Sequence, residues 1–131
     1  MTHQTKRAEV FSVEVPSPRG HFSHAVIAGD FVHVSGLLGF DASGQLPEPG
    51  DIEAQTARIL DSLESILHAA GSSPASLVKL TVYVTDISER SAVNRLRATR
   101  WPDTKPASTL VEVSDLAAQG AVIEIDAVAV R

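Results

Sequence analysis

The sequence predicts an α+β fold: a mixed six-stranded sheet that carries two helices on one face. Three observations lead there. Two apolar runs meet at a Gly29-Asp30 turn. Two strand–helix–strand passages follow, which bring strands into one sheet through crossovers. The chain then closes on a long alternating run, Ala121 to Val130.

The elements follow in order. The first eight residues are polar and are expected to be a loose start. Glu9 to Val15 alternates apolar and polar residues, the period of a strand. Pro16 to Gly20 interrupts it with two prolines and a glycine, which impose turn geometry. His24 to Ala28 and Phe31 to Gly36 then read as a β-hairpin joined by a two-residue turn. Gly39 to Gly50 is rich in turn formers and reads as a loop. Asp51 is placed to cap the free N–H groups of a first helix. Ile52, Ile59, Leu63, Ile66, Leu67 and Ala70 recur at helical spacing, and Gly71 suits the left-handed position that stops it. Glu53, Arg58, Asp61 and Glu64 form its solvated side. Ser76 to Thr85 reads as a strand, with Val78, Leu80, Val82 and Val84 on one face and Lys79, Thr81 and Tyr83 on the other. A second helix is expected from a Ser88 cap to about Arg100, ended by Pro102. Ser108 to Val113 and Ala121 to Val130 complete the sheet.

A chain of 131 residues with 44% hydrophobic and 21% charged residues fits one soluble domain, here 1–131. It contains no Cys, which excludes a disulfide framework, a thiol nucleophile, zinc fingers and iron–sulfur ligation. That absence also fits a reducing cytosol. No apolar run is long enough to cross a membrane, and Met1 to Val10 lacks the apolar core of a signal peptide. A cytoplasmic protein with no membrane partner is expected. The formal net charge is −5 and the pI near 5.4, without the basic footprint of a nucleic-acid binder. Two helices cover only one face of the sheet. No further element is left for the other face, so self-association is expected to cover it.

The last strand carries the most chemistry. Ile123, Ile125, Ala127 and Ala129 share one face; Glu124 and Asp126 share the other, about 7 Å apart at two strand rises. A carboxylate among apolar neighbours can position water or take a proton when burial raises its pKa. The alternative is a carboxylate that reaches solvent at the sheet margin. His33 and Ser35 share a strand face, but side chains at i and i+2 stand parallel and no G-x-S-x-G elbow is present. His21, His24 and His33 lack the spacing of a metal motif, so no metal is expected. Arg90, Arg95, Arg97 and Arg100 give the second helix a basic stretch, either a solvated face or an anion site.

Several segments, in order, resemble one family: GHFSHAV, VHVSGLLGFD, QTARILDSLESILHAAGSS, LVKLTVYVTDISERSAVN, KPASTLVEV and VIEIDAVAV. Together they resemble the reactive-intermediate deaminase (Rid, YjgF or L-PSP) family over about Ser17 to Val130. The resemblance implies a chorismate-mutase-like fold, a homotrimer with clefts between subunits, and hydrolysis of 2-imino or 2-enamino acids without a cofactor. It implies that Glu124 orients water as the catalytic residue. It implies that Phe22, Ser35, Asn94 and Ser108 shape the substrate site; His24, Lys105 and Ala107 are further candidates there, with backbone N–H groups near 107–110 expected to polarise the substrate. One position departs from the pattern. Ser108 stands where deaminating members carry the Arg that grips the substrate carboxylate. A Ser cannot form that bidentate charged pair. The departure predicts weak turnover of small imino acids, unless another cation such as Lys105 or Arg100 serves. The expected function is therefore an enzyme, hydrolase or lyase, for an imine, enamine or related labile carbonyl compound. The alternative is a trimer that binds a small metabolite without turning it over. The ribonuclease activity also ascribed to the family sits poorly with the acidic pI.

Overall fold

A computed structural model describes residues 6–131. Its strands are β1 (Arg7–Val10), β2 (Ala25–Ala28), β3 (Phe31–Leu37), β4 (Leu77–Val84), β5 (Ala107–Glu112) and β6 (Ile123–Val130). The helices are α1 (Ile52–Ala69) and α2 (Arg90–Arg100). One six-stranded sheet runs in the order β1-β2-β3-β6-β4-β5. Only β4 and β5 pair in parallel; every other pairing is antiparallel. The chain is thus α+β with a mixed sheet, and β6 is inserted between the two strands that α1 connects.

The core lies between the sheet and α1. Ile59, Leu60, Leu63, Ile66 and Leu67 are buried against Val32, Val34, Leu80, Val82, Ile123 and Ile125. Asp51 caps α1, its side chain accepting from the Ala54 N–H at 3.1 Å. Gly71 follows the helix at φ +76°, the left-handed conformation that glycine adopts without penalty. Gln55 and Thr56, polar residues outside the apolar spacing, are buried too. Gln55 is a tie between segments. Its Nε2 donates to the carbonyls of Glu48 at 2.8 Å and Gly120 at 2.9 Å, and its Oε1 accepts from Val122 N–H at 2.9 Å. Gly39 passes so close to the Gln55 backbone that a Cβ there would lie 2.9 Å from its Cα.

Four sequence expectations need correction. The loose start over residues 1–8 is in part strand, because Arg7 and Ala8 belong to β1 and pair with Ala28 and Ile27; residues 1–5 lie outside the described ones. The first strand ends at Val10 instead of Val15. There the Ser12 N–H turns to the buried His24 ring and leaves the ladder. Val78 is exposed rather than in line with Leu80, since the β4–β6 register shifts between Leu77 and Lys79. Ser88 does not cap α2. A single 3-10 turn, Ile87–Glu89, precedes the helix, and Asp86 Oδ1 accepts from both the Ser88 N–H (3.0 Å) and its hydroxyl (2.7 Å).

The face away from the helices is mixed in character. Phe31, Val111 and Val128 alternate along it with His33, Lys79, Thr81, Glu124 and Asp126, all exposed or half-buried.

Candidate active site

The register of β3 against β6 builds the site. Val34 pairs with Ala127 but Leu37 with Ile125, so β3 carries one extra residue across from Asp126. This is a β-bulge, the device that re-aims side chains beside functional clefts. It brings Gly36 against Glu124. A Cβ at position 36 would collide with Glu124 Oε2 and come within 2.9 Å of its Cδ, so only glycine leaves the carboxylate its place. The Glu124 carboxylate lies in the wall of a cavity of about 480 Å³. Phe22, His24, Ser35, Leu38 and Phe40 line it as well.

Glu124 and Asp126 differ sharply in their surroundings. Among the described residues no side chain donates to Glu124. Burial, with the Asp126 charge beside it, raises its pKa above the usual carboxylate range. Asp126 instead accepts a hydrogen bond from the Tyr83 hydroxyl at 2.9 Å, which in turn holds the Tyr83 proton more tightly.

The rest of the wall is fixed by local bonds. His24 is buried with both ring nitrogens engaged. Nδ1 accepts from Ser12 N–H at 2.9 Å and Nε2 donates to the Pro16 carbonyl at 2.8 Å. The pattern requires the neutral Nε2–H tautomer. His24 thereby pins the 12–16 segment, whose Val15 and Pro16 line the cavity. The Ser35 hydroxyl donates to the Ser23 carbonyl at 2.7 Å, and no Ser–His hydrogen bond forms among the described residues. His21 and His33 are exposed. Phe22 is half-exposed at the cavity mouth, over Gly20. Arg19, in the Pro16–Gly20 segment, also lines the cavity, with Cζ 4.2 Å from the centre of the Phe40 ring.

The remaining candidates lie elsewhere. Asn94, Lys105 and Ser108 line a second cavity of about 490 Å³ under α2, together with Arg97. Ser108 pairs with Leu80, on the helix-bearing face of the sheet; Glu124 pairs with Tyr83, on the open face. A single chain therefore does not bring the two sets together. Ala107 lies opposite Lys79 on the open face and lines neither cavity. β5 is an edge strand, so alternate backbone N–H groups over 107–110 lack a ladder partner. Arg100 is not a free cation. It is held by Asp61 at 2.7 Å and Glu64 at 2.8 Å, and Trp101 Nε1 shares Glu64 at 3.2 Å.

Comparisons with known proteins agree on one family. The family model Endoribonuclease L-PSP matches residues 13–131. A RutC family protein of Pyrococcus horikoshii is 35% identical over 122 residues, 93% of this chain and 96% of that protein. The 2-iminobutanoate/2-iminopropanoate deaminase of Rattus norvegicus is 35% identical over 126 residues, 95% of this chain and 90% of that one. Among solved structures, a Rid-family protein of unknown function from Yersinia pestis superposes with a TM-score of 0.91 at 32% identity, covering 96% of this chain and all of that one (100%). The YjgF gene product of E. coli superposes with a TM-score of 0.87 at 30% identity over 95% of this chain and 98% of that one. On the strength of the matched family, these relatives and the shared sheet, the chain belongs to the Endoribonuclease L-PSP family, also called YjgF or Rid.

Proposed function

We propose that this protein hydrolyses small 2-imino acids to 2-oxo acids and ammonia, in a cleft formed between copies of the chain. One observation carries the reading: Glu124 is a carboxylate of raised pKa, without a side-chain partner among the described residues, in the wall of a mostly apolar cavity, with Gly36 shaped to leave it room. A carboxylate so placed accepts a proton near neutral pH more readily than an exposed one. The names of the deaminase relatives support the substrate class.

The reaction follows from the groups present. Ionised Glu124 takes a proton from water as its oxygen attacks the imine carbon. The C=N π electrons move to nitrogen, which takes up the proton that Glu124 has just accepted and so frees the carboxylate. The tetrahedral intermediate collapses as the C–N bond breaks, the proton of the new hydroxyl passing by way of Glu124 to the leaving nitrogen. Ammonia leaves, and the carbonyl forms. No oxidant or cofactor enters the balance.

The cleft is assigned to an interface because Glu124 and Ser108 occupy opposite faces of one sheet. A homotrimer gives each open face a neighbour and sets one copy's Glu124 cavity against the next copy's second cavity. The test is ammonia release from 2-iminopropanoate generated in place by an amino-acid oxidase. The proposal expects acceleration over free hydrolysis, and about 10²-fold less in Glu124→Gln, as for a lost general base. No acceleration by the wild type, with metabolite binding intact, favours a binding protein instead.

A further inference from the structure

The second cavity inverts the charge of the molecule. The chain carries a net −5, yet among the described residues this cavity is lined by Arg90, Arg97 and Lys105 and by no carboxylate. A low-dielectric wall with one sign of charge concentrates the field on a ligand of the other sign. Its volume, about 490 Å³, suits a small molecule.

The four arginines of α2 have different fates. Arg95 is paired with Glu53 at 2.6 Å and Arg100 with Asp61 and Glu64, all outside the cavity. Arg90 is exposed and donates to the nearby Ile87 carbonyl at 3.2 Å. Arg97 is half-buried, and among the described residues its side chain bonds only to the Ser108 hydroxyl, at 3.0 Å. The rest of its planar fork is unspent. Burial lowers its pKa with no acidic neighbour to offset the cost, although a guanidinium stays charged throughout the working pH range.

We propose that Arg97 is the carboxylate-binding residue of this chain. Its guanidinium comes from α2 and is oriented by Ser108, so the second cavity takes the carboxylate of a small 2-oxo or 2-imino acid. The identity of the anion rests on the function proposed above. A fork with parallel N–H groups fits a carboxylate bidentately, which Lys105, a mobile point charge, does not. Ser108 is thereby a holder of the cation, not a gap where one is missing. The weak imino-acid turnover expected from position 108 alone gives way to carboxylate recognition from position 97. The rival cation is Arg19, but it lies over the Phe40 ring in the first cavity and is exposed.

The test is titration of the full-length protein with pyruvate, followed by NMR, alongside the ammonia assay. Arg97→Gln is expected to raise the pyruvate Kd by about 10- to 100-fold, the range of a lost charge-assisted bond. Arg97→Lys should recover part of the loss, whereas Arg95→Gln should bind pyruvate like the wild type. Equal binding by wild type and Arg97→Gln, no binding by the wild type, or a loss that follows Arg19→Gln instead, overturns the proposal. Ammonia release that Arg97→Gln leaves unchanged overturns it too, while the hydrolase reading stands. Arg97-dependent pyruvate binding without any ammonia release supports the carboxylate site and overturns the hydrolase.

Discussion

Glu124 and Asp126 project from the same face of β6, yet the Tyr83 hydroxyl engages only Asp126. Exchange of either carboxylate for its amide separates their roles. Asp126→Asn should leave turnover within a few-fold, whereas Glu124→Gln should remove about two orders of magnitude. The pH profile gives a second reading. Glu124 must be ionised to take a proton, so kcat/KM should fall as pH drops through its raised pKa, on a limb above the ordinary carboxylate value of 4.5. Stability moves the other way. Below 4.5 the group is protonated folded and unfolded, and contributes no penalty. As pH rises through the folded pKa, the folded chain must hold the charge where burial disfavours it, and stability is lost. Glu124→Gln should therefore raise Tm at neutral pH and leave it unchanged in acid. Gly36→Ala should cost activity on the scale of Glu124→Gln with little loss of Tm, because the atoms its Cβ meets are the flexible end of Glu124. Glu124 was legible in the sequence because strand alternation fixes its face. Arg97 was not. Helical spacing places four arginines on α2 without saying which acids lie across from each, and the partners Glu53, Asp61 and Glu64 come from α1.

At the scale of elements, the segments that position the site are tied by single buried polar groups. Gln55 joins the loop before α1 to the segment before β6. The Glu48 and Gly120 carbonyls keep other backbone donors, Asp51 and Gly50, but the Val122 N–H faces Gln55. Gln55→Leu should thus cost about 1–3 kcal/mol, the penalty of one orphaned buried donor, measured by urea unfolding. His24→Leu should release the 12–16 segment, read as faster hydrogen exchange at the Ser12 amide. The helices, the hairpin and the last strand were legible because apolar periodicity and turn residues agree there. The early end of β1, the bulges at Ser35–Gly36 and Val78, and the 3-10 entry to α2 were not. Each is set by a contact distant in sequence or by a register between strands, which local pattern does not encode.

At the scale of the molecule, the helices cover one face of the sheet, and Phe31, Val111 and Val128 remain on the other. Light scattering should give a mass near three chains, as the proposed assembly requires. The shared cleft can be tested more directly by complementation. Glu124→Gln spoils one half of each site and Arg97→Gln the other, so either protein alone should be nearly inactive. If the halves come from neighbouring copies, co-refolding the two variants in equal amounts should restore about a quarter of wild-type ammonia release, because a random trimer joins an intact Glu124 to an intact Arg97 at that fraction of its interfaces. Recovery to that level is the predicted result. A mixture no more active than its parents, although mixed trimers are shown to form, would contradict a site built between copies.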